Sequence, residues 1–153
     1  MIASCDGAAR GNPGPAGIGV VLTDEGGRVL AEVGEGIGPA TNNVAEYRAV
    51  VEALRLAAEQ GAGSVLVRSD SRLLVEQLSG RFRVKHPTLQ RLHEEARRLA
   101  GGFRAVVFEH VPREQNTDAD RLANRGVDEW LAGQGAGYRA PGPPPDLFDD
   151  GDD

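Results

Sequence analysis

Apolar positions along the first 36 residues fall into three short segments, two of them apolar runs and one alternating with a period of two, which is typical of β-strands. Residues 2–9 and 18–23 are short apolar runs, and residues 28–36 alternate Val29, Ala31 and Val33 with more polar positions. GNPGPAG separates the first run from the second, and Asp-Glu-Gly-Gly separates the second from the third. Both are turn signals, so the pattern predicts three strands with short links.

Helical spacing replaces the strand period after residue 41. Six small or apolar residues recur on one helical face: Ala45, Ala49, Val50, Ala53, Leu54 and Ala57. Asn42 or Asn43 can cap this helix, and Gly61 marks its end. Further along, the pattern predicts strands at 64–69 and 103–111 and helices at 71–78, 87–99 and 118–131. Short links make the first three strands an antiparallel meander, whereas helical crossovers make the later strands parallel. The expected fold is α/β, a mixed five-stranded sheet flanked by helices.

Composition adds limits on where the protein works. The 153 residues are 40% apolar and 26% charged, with no run of eighteen apolar residues, so we expect a globular protein without a membrane partner. The start, MIASCDG, is not a secretory signal. Cys5 is the single cysteine and cannot form an internal disulfide, so we expect a cytoplasmic protein. We also expect the protein to be a monomer and the Cys5 side chain to lie in the core.

The charge is distributed unevenly and divides the chain in two. The net charge of −6 argues against a nucleic-acid partner, but five acids lie at the end of the chain: Asp146, Asp149, Asp150, Asp152 and Asp153. Without them, 18 acidic residues stand against 17 basic ones, and a basic face becomes compatible with the sequence. Residues 1–132 are expected to form one domain. Residues 133–153 are rich in Gly, Pro and Asp, which predicts a flexible tail or a linker to a further domain.

Four acids occupy positions at element ends that are typical of sites. Asp6 interrupts the first strand, and Asp70 directly follows the strand SVLVRS. Glu46 and Asp120 lie in the first turns of two long helices. Each has an ordinary alternative, because helix starts favour acids and strand ends often carry them. Converging carboxylates are the ligands of hard divalent cations, and such cations can activate water and stabilise a leaving oxygen in phosphodiester hydrolysis.

Four motifs join these acids into one pattern. They are CDGAARGNPGPAGIGVVL, TNNVAEYRAVVEAL, VRSDSRLLVEQLSGRFRVK and HVPREQNTDADRLANRGVD, which together span residues 3–128. In order and spacing they resemble type 1 ribonuclease H. The resemblance implies a ribonuclease H-like fold with Asp6, Glu46, Asp70 and Asp120 as catalytic residues that bind the metal. The family context A-D-x-L-A selects Asp120, and leaves Asp118 as a helix cap.

The resemblance also implies substrate contacts, each with a structural alternative. Asn12, Asn42 and Asn43 match positions that face the RNA strand, where the 2′-OH distinguishes RNA from DNA. Thr41 matches a position that binds a DNA phosphate. The alternatives are a turn residue for Asn12 and helix caps for Asn42 and Thr41. Gln77 is expected either to reach the groove or to be a solvated helix residue.

Two features depart from the family. Many members have a histidine in the loop before the last aspartate, but this loop reads PREQNTDAD, so Glu114 is a candidate replacement and His110 is expected to be structural. A long basic extension found in many members is reduced to GRFRVKHP. There Arg81, Arg83 and Lys85 form either a small basic patch for the hybrid or a solvated loop.

The function implied by the resemblance is hydrolysis of the RNA strand of RNA–DNA hybrids, leaving 5′-phosphate and 3′-hydroxyl ends. It implies two Mg²⁺ ions, with Mn²⁺ as an alternative. Other hypotheses stay open: a nuclease for structured RNA or RNA–DNA junctions, a non-catalytic hybrid-binding module, and the nuclease half of a bifunctional chain with a covalently linked C-terminal domain.

Overall fold

The computed structural model describes residues 1–134, and the predicted order of strands and helices is confirmed throughout. The strands are β1 (Ile2–Ala9), β2 (Gly14–Thr23), β3 (Val29–Ala40), β4 (Ser64–Ser69) and β5 (Ala105–His110). The helices are α1 (Asn42–Glu59), α2 (Arg72–Leu78), α3 (Pro87–Ala100) and α4 (Thr117–Gln134), with a 3-10 turn at Arg113–Gln115.

The five strands form one mixed sheet in the order β3-β2-β1-β4-β5. The β1–β2 and β2–β3 pairs are antiparallel, while β1–β4 and β4–β5 are parallel. The predicted meander followed by parallel strands is therefore confirmed. Because β1 and β4 are parallel neighbours, the residues at their carboxyl ends lie at the same edge of the sheet.

Helices cover the sheet unequally. The small and apolar face of α1 is fully buried against β1 and β2, and α3 packs beside it. On the other side of the sheet, α4 packs against β1, β2 and β3. Cys5 is buried in the core, as expected, and burial raises the pKa of its thiol well above its usual range. Among residues 1–134, no helix is both long and apolar enough to cross a membrane.

β2 begins four residues earlier than predicted, and β3 ends four residues later than predicted. The sequence predicts a turn through residues 11–17, but the strand begins at Gly14, which pairs with Ala40 of β3. Glycines in this strand serve helix packing as well as turning. A Cβ at Gly17 would collide with the carbonyl oxygen of Ala123 in α4, so the missing side chain lets the helix lie close to the sheet.

The last helix is longer than predicted. It begins at Thr117 and continues to Gln134, so residues 133 and 134 extend the helix where the sequence predicts the start of a tail. Asp118 is already the second residue of α4, with an exposed side chain 3.9 Å from Arg121, and is therefore not the N-cap. The rest of the predicted tail, from residue 135, lies outside the described residues.

Candidate active site

Two of the four acids come from the parallel strands β1 and β4. Asp6 is within β1 and is almost fully buried. Asp70 directly follows β4. The next residue, Ser71, caps α2, and its hydroxyl oxygen accepts a hydrogen bond from the backbone N–H of Leu74. The strand pairing runs as far as Ser4 and Arg68, so both carboxylates project just beyond the paired region.

Glu46 reaches the same place because α1 lies very close to β1. A Cβ at Gly7 would collide with the backbone of Ala45 and Glu46, which shows that the absence of a side chain permits this approach. Thr41 is the N-cap of α1, and its hydroxyl accepts a hydrogen bond of 3.2 Å from Val44. Glycine in β1 and the Thr41 cap thus set the position of Glu46.

Asp120 is supplied by the first turn of α4. Its side chain lines the same cleft as that of Asp6, and the interaction between the two carboxyl groups raises the pKa of Asp6. Its backbone N–H donates to the carbonyl oxygen of Asn116 at 3.1 Å, and its Oδ1 accepts from Asn124 at 3.3 Å. The structure therefore brings together all four acids that the sequence predicts.

These carboxylates line an open cleft of about 450 Å³. Carboxylate oxygens of Asp6, Glu46 and Asp70 lie within 4.8 Å of one another. Ten residues line the cleft: Asp6, Gly7, Ala8, Ala9, Asn42, Glu46, Asp70, Arg113, Asp120 and Asn124. The donor set consists of hard oxygens at a spacing that fits a divalent cation.

Crowding of negative charge changes the titration of Asp6. Burial raises the pKa of Asp6 to about 8, with further contributions from the hydrogen bond to Asp120 and from the charges of Asp70, Asp120 and Glu46. Without a cation, the protonated form of Asp6 is therefore favoured at neutral pH. This unfavourable ionisation is what a bound cation would relieve, so the acidic cluster is able to hold a metal.

Metal-free stability should consequently fall as pH rises. The pKa of Asp6 is about 8 in the folded protein and 3.8 ordinarily, so between these values the folded chain holds a proton that the unfolded chain has released. Unfolding free energy then decreases by up to about 1.4 kcal/mol per pH unit across this window. Urea unfolding in EDTA at pH 5 and pH 8 measures the slope. Asp6→Asn should remove this contribution, and an unchanged slope in that variant would contradict it.

Two of the three asparagines predicted to contact RNA, Asn12 and Asn42, form a pair of hydrogen bonds beside the cleft, here called the asparagine bracket. Asn42 Oδ1 accepts from the backbone N–H of Ala9 at 2.9 Å, and Asn12 Oδ1 accepts from the backbone N–H of Asn42 at 3.1 Å. The bracket joins the end of β1 to the start of α1. Asn42 lines the cleft, whereas Asn12 and Asn43 are not among its lining residues.

Two other predicted contacts have roles inside the fold. Thr41 is buried and acts as the cap of α1, so neither Asn42 nor Asn43 is the N-cap. Gln77 is 1% exposed and is neither a groove residue nor a solvated one. Its Oε1 accepts from the Tyr47 hydroxyl at 2.6 Å, and its Nε2 donates to the carbonyl oxygen of Arg83 at 3.3 Å. Both polar ends of the Gln77 amide are thus used within the protein.

The loop before α4 differs from the sequence-based expectation. Glu114 is exposed and does not line the cleft, but its neighbour Arg113 does. Sequence reasoning missed Arg113 because only the 3-10 turn at Arg113–Gln115 determines which side chain faces the carboxylates. His110 is the last residue of β5 and is not among the residues that line the cleft.

The predicted basic patch is weakened by pairing. Arg81 donates two hydrogen bonds to the Glu76 carboxylate, at 2.6 and 3.0 Å, so its charge is offset within the protein. Arg83 and Lys85 are exposed residues of the same segment. The ion pair lowers the pKa of Glu76 and raises that of Arg81.

Comparison with known proteins identifies the family. A family described as "Reverse transcriptase-like" matches residues 4–126. The chain is 52% identical over 129 residues to "Bifunctional protein Rv2228c" of Mycobacterium tuberculosis. The aligned region covers 84% of this chain and 35% of that protein. The chain thus spans about a third of the length of this relative.

Three solved structures agree. The N-terminal RNase H domain of Rv2228c, in a fusion with maltose binding protein, is 51% identical with a TM-score of 0.81, covering 83% of this chain and 98% of that one. RNase H1 of Halobacterium salinarum is 46% identical with a TM-score of 0.82, covering 84% and 97%. LC11-RNase H1, solved with an RNA/DNA hybrid, is 45% identical with a TM-score of 0.81, covering 85% and 98%. Since the family match spans residues 4–126 and the RNase H1 structures cover nearly all of the described residues at 45% identity or more, the chain belongs to the type 1 ribonuclease H family.

Proposed function

We propose that this domain is an endonuclease that hydrolyses the RNA strand of RNA–DNA hybrids and leaves 5′-phosphate and 3′-hydroxyl ends. The observation that carries the proposal is the convergence of Asp6, Glu46 and Asp70 within 4.8 Å, with Asp120 lining the same open cleft. The LC11 relative, whose structure contains an RNA/DNA hybrid, supports this choice of substrate.

The four carboxylates are proposed to hold two Mg²⁺ ions when the hybrid is bound, with Mn²⁺ able to replace them. Bound divalent cations supply charge neutralisation at the phosphate and lower the pKa of water. Asp6 is the most buried of the four, its carboxylate lies within 4.8 Å of those of Glu46 and Asp70, and Asp120 lines the same cleft, so Asp6 is proposed to serve both ions. Glu46 and Asp70 would complete one position and Asp120 the other.

Recognition of RNA is proposed to use the asparagine bracket. Asn42 lines the cleft, and its Oδ1 is already used by Ala9, so its amide nitrogen is the group available to donate to a ribose oxygen. Such a contact depends on the 2′-OH and not on base edges, which predicts slight sequence preference. Arg83 and Lys85 would add phosphate contacts along the exposed segment.

A cleavage assay tests the proposed function. End-labelled RNA–DNA hybrid, duplex RNA and a DNA duplex with a single ribonucleotide junction are incubated with and without Mg²⁺. Metal-dependent cleavage of the hybrid alone is expected, with 3′-hydroxyl ends on the products. Preferential cutting of duplex RNA or of the junction would instead favour the related nuclease activities, and binding of hybrid without cleavage would indicate a non-catalytic module.

Arg113 should contribute substantially to this reaction. Among residues 1–134 it is the one cationic side chain that lines the cleft, so it is placed to contact a substrate phosphate. A charge-assisted hydrogen bond is worth about 1.5–3 kcal/mol, so Arg113→Ala should lower kcat/KM by about 10- to 100-fold. Arg121→Ala, on the exposed side of α4, is the matched control and should stay near the wild-type value. A larger loss in Glu114→Gln than in Arg113→Ala would reverse the assignment.

A second function in the same polypeptide is favoured by the length comparison. The relative described as bifunctional is almost three times longer than the matched region. We infer that the natural protein can carry a further domain after the Gly/Pro/Asp-rich segment 133–153. Cleavage assays that compare this chain with the polypeptide produced in its native cells would show whether the nuclease is joined to another activity.

A further inference from the structure

Asn116 is a buried polar residue beside the four acids, and neither the motifs nor the proposed mechanism gives it a role. It directly precedes α4 and is 2% exposed. Its Nδ2 donates a hydrogen bond of 2.8 Å to the carbonyl oxygen of Cys5, the residue before Asp6. A side chain near the start of the last helix is thereby tied to the strand that carries the central acid.

The position of this bond in the sheet is informative. The backbone N–H of Leu66 donates to the Met1 carbonyl, so the alternation along β1 turns the Cys5 carbonyl toward β4 as well. Pairing between β1 and β4 ends at Ser4 and Arg68. The Asn116 amide therefore takes the place of the next donor in the ladder, at the point where the two strands separate.

The backbone of Asn116 acts on the other side of the site. Its carbonyl oxygen accepts the hydrogen bond from the backbone N–H of Asp120, in the first turn of α4. One residue is thus bonded to the neighbour of Asp6 and to Asp120 itself. The two bonds connect the strand that carries Asp6 with the helix that carries Asp120, and both carboxylates line the same cleft.

We propose that Asn116 is a positioning residue that holds Asp6 and Asp120 together against their mutual repulsion and thereby sets the cation affinity of the cluster. The proposal rests on the proposed function only in that the four acids bind a divalent cation. Asn116 is not a ligand in this scheme. Its Oδ1 has no hydrogen-bond partner within residues 1–134, so the amide donor and the backbone carbonyl carry the effect.

Direct metal binding tests this role without any nucleic acid. Asn116→Leu keeps a similar volume but removes the donor to Cys5. Isothermal titration of the full chain with Mn²⁺ should give a dissociation constant raised by about 10- to 100-fold, the usual effect of removing a group that orients metal ligands. In hybrid cleavage, the Mg²⁺ concentration that gives half of the maximal rate should rise by a similar factor. A loss of folded protein alone would instead lower the rate at every Mg²⁺ concentration and leave this midpoint unchanged.

Gln77→Leu is the matched control. Gln77 is an equally buried amide with hydrogen bonds to Tyr47 and Arg83, but it lies away from the carboxylates. Its Mn²⁺ affinity should equal that of the wild type. Asn116→Ala removes the same donor with a smaller side chain and is measured in parallel, with circular dichroism to establish the folded fraction, in case the leucine does not fit.

The outcomes separate this proposal from the proposed function. Mn²⁺ affinity within about twofold of wild type in the folded Asn116 variants, or an equal loss in Gln77→Leu, would overturn the positioning role. If the wild type binds Mn²⁺ and the Asn116 variants bind it more weakly, the positioning role stands even where no hybrid is cleaved. Absence of cleavage by the metal-loaded wild type would count against the hybrid nuclease alone.

Discussion

Asp70→Asn should lower hybrid cleavage by at least about 1,000-fold while the protein remains folded. The substitution keeps the shape of the side chain but removes one of the three carboxylates that lie within 4.8 Å of one another. Loss of several kcal/mol of charge stabilisation at the phosphate corresponds to this factor. Removing a charge from a like-charged cluster also relieves repulsion, so stability without metal should not decrease. Single-turnover cleavage of a labelled hybrid at saturating Mg²⁺ gives the rate, and urea unfolding in EDTA gives the stability.

Asp118→Asn is the appropriate control for this variant. Asp118 lies in the same first turn of α4 as Asp120, but its side chain is exposed and points to Arg121. Its neutralisation should leave the rate within about twofold, because a surface ion pair contributes little. Wild-type cleavage by Asp70→Asn would show that the catalytic metal is held elsewhere.

The largest expected effect on stability comes from Gly19→Ala. A Cβ on Gly19 would fall inside the van der Waals distance of the Ala119 carbonyl oxygen in α4, and further contacts involve the backbone of Ala123. Backbone cannot rotate away as a side chain can, so the helix must move off the sheet. The free energy of unfolding should fall by about 3 kcal/mol or more, at the upper end of overpacking effects. Urea denaturation measures this change.

A glycine within α4 itself provides the comparison. Gly133 lies near the end of α4 with nothing within 4 Å of an added Cβ. Gly133→Ala should therefore leave stability unchanged or raise it by up to about 1 kcal/mol through helix propensity. Equal stability losses in Gly19→Ala and Gly133→Ala would show that close packing of α4 is not the cause.

The sequence predicted the elements better than their contacts. Periodicity placed β1 and β4 correctly because each is a short run with clear punctuation at both ends. It missed the first residues of β2, since the glycines there are also turn residues, and only the approach of α4 explains why a strand needs them. Thr41, and neither of the two asparagines that follow it, is the N-cap of α1. The N-cap is the residue whose backbone is still extended before the helix, and three neighbouring polar residues are equally suitable for that position by sequence.

The candidate site shows the same division. Alone, the four acids were two helix-start and two strand-end residues, and the surrounding motifs were needed to unite them. Gln77 was misplaced because a polar residue on a short helix is normally exposed, and its burial depends on the Tyr47 hydroxyl from another helix. Arg113 and Asn116 carried no pattern of their own, since their importance follows from the turn that joins β5 to α4.

The placement of the fourth acid on the last helix has a consequence during synthesis of the protein. Asp6, Glu46 and Asp70 leave the ribosome well before Asp120, and α4 packs on the sheet only when its residues through Gln134 are free. A nascent chain therefore lacks an assembled cluster until its final helix has docked. A divalent cation held by the cluster would bind the finished domain in preference to its precursors and raise its unfolding free energy through mass action. Metal binding would thus favour the state in which the last helix is docked on the sheet.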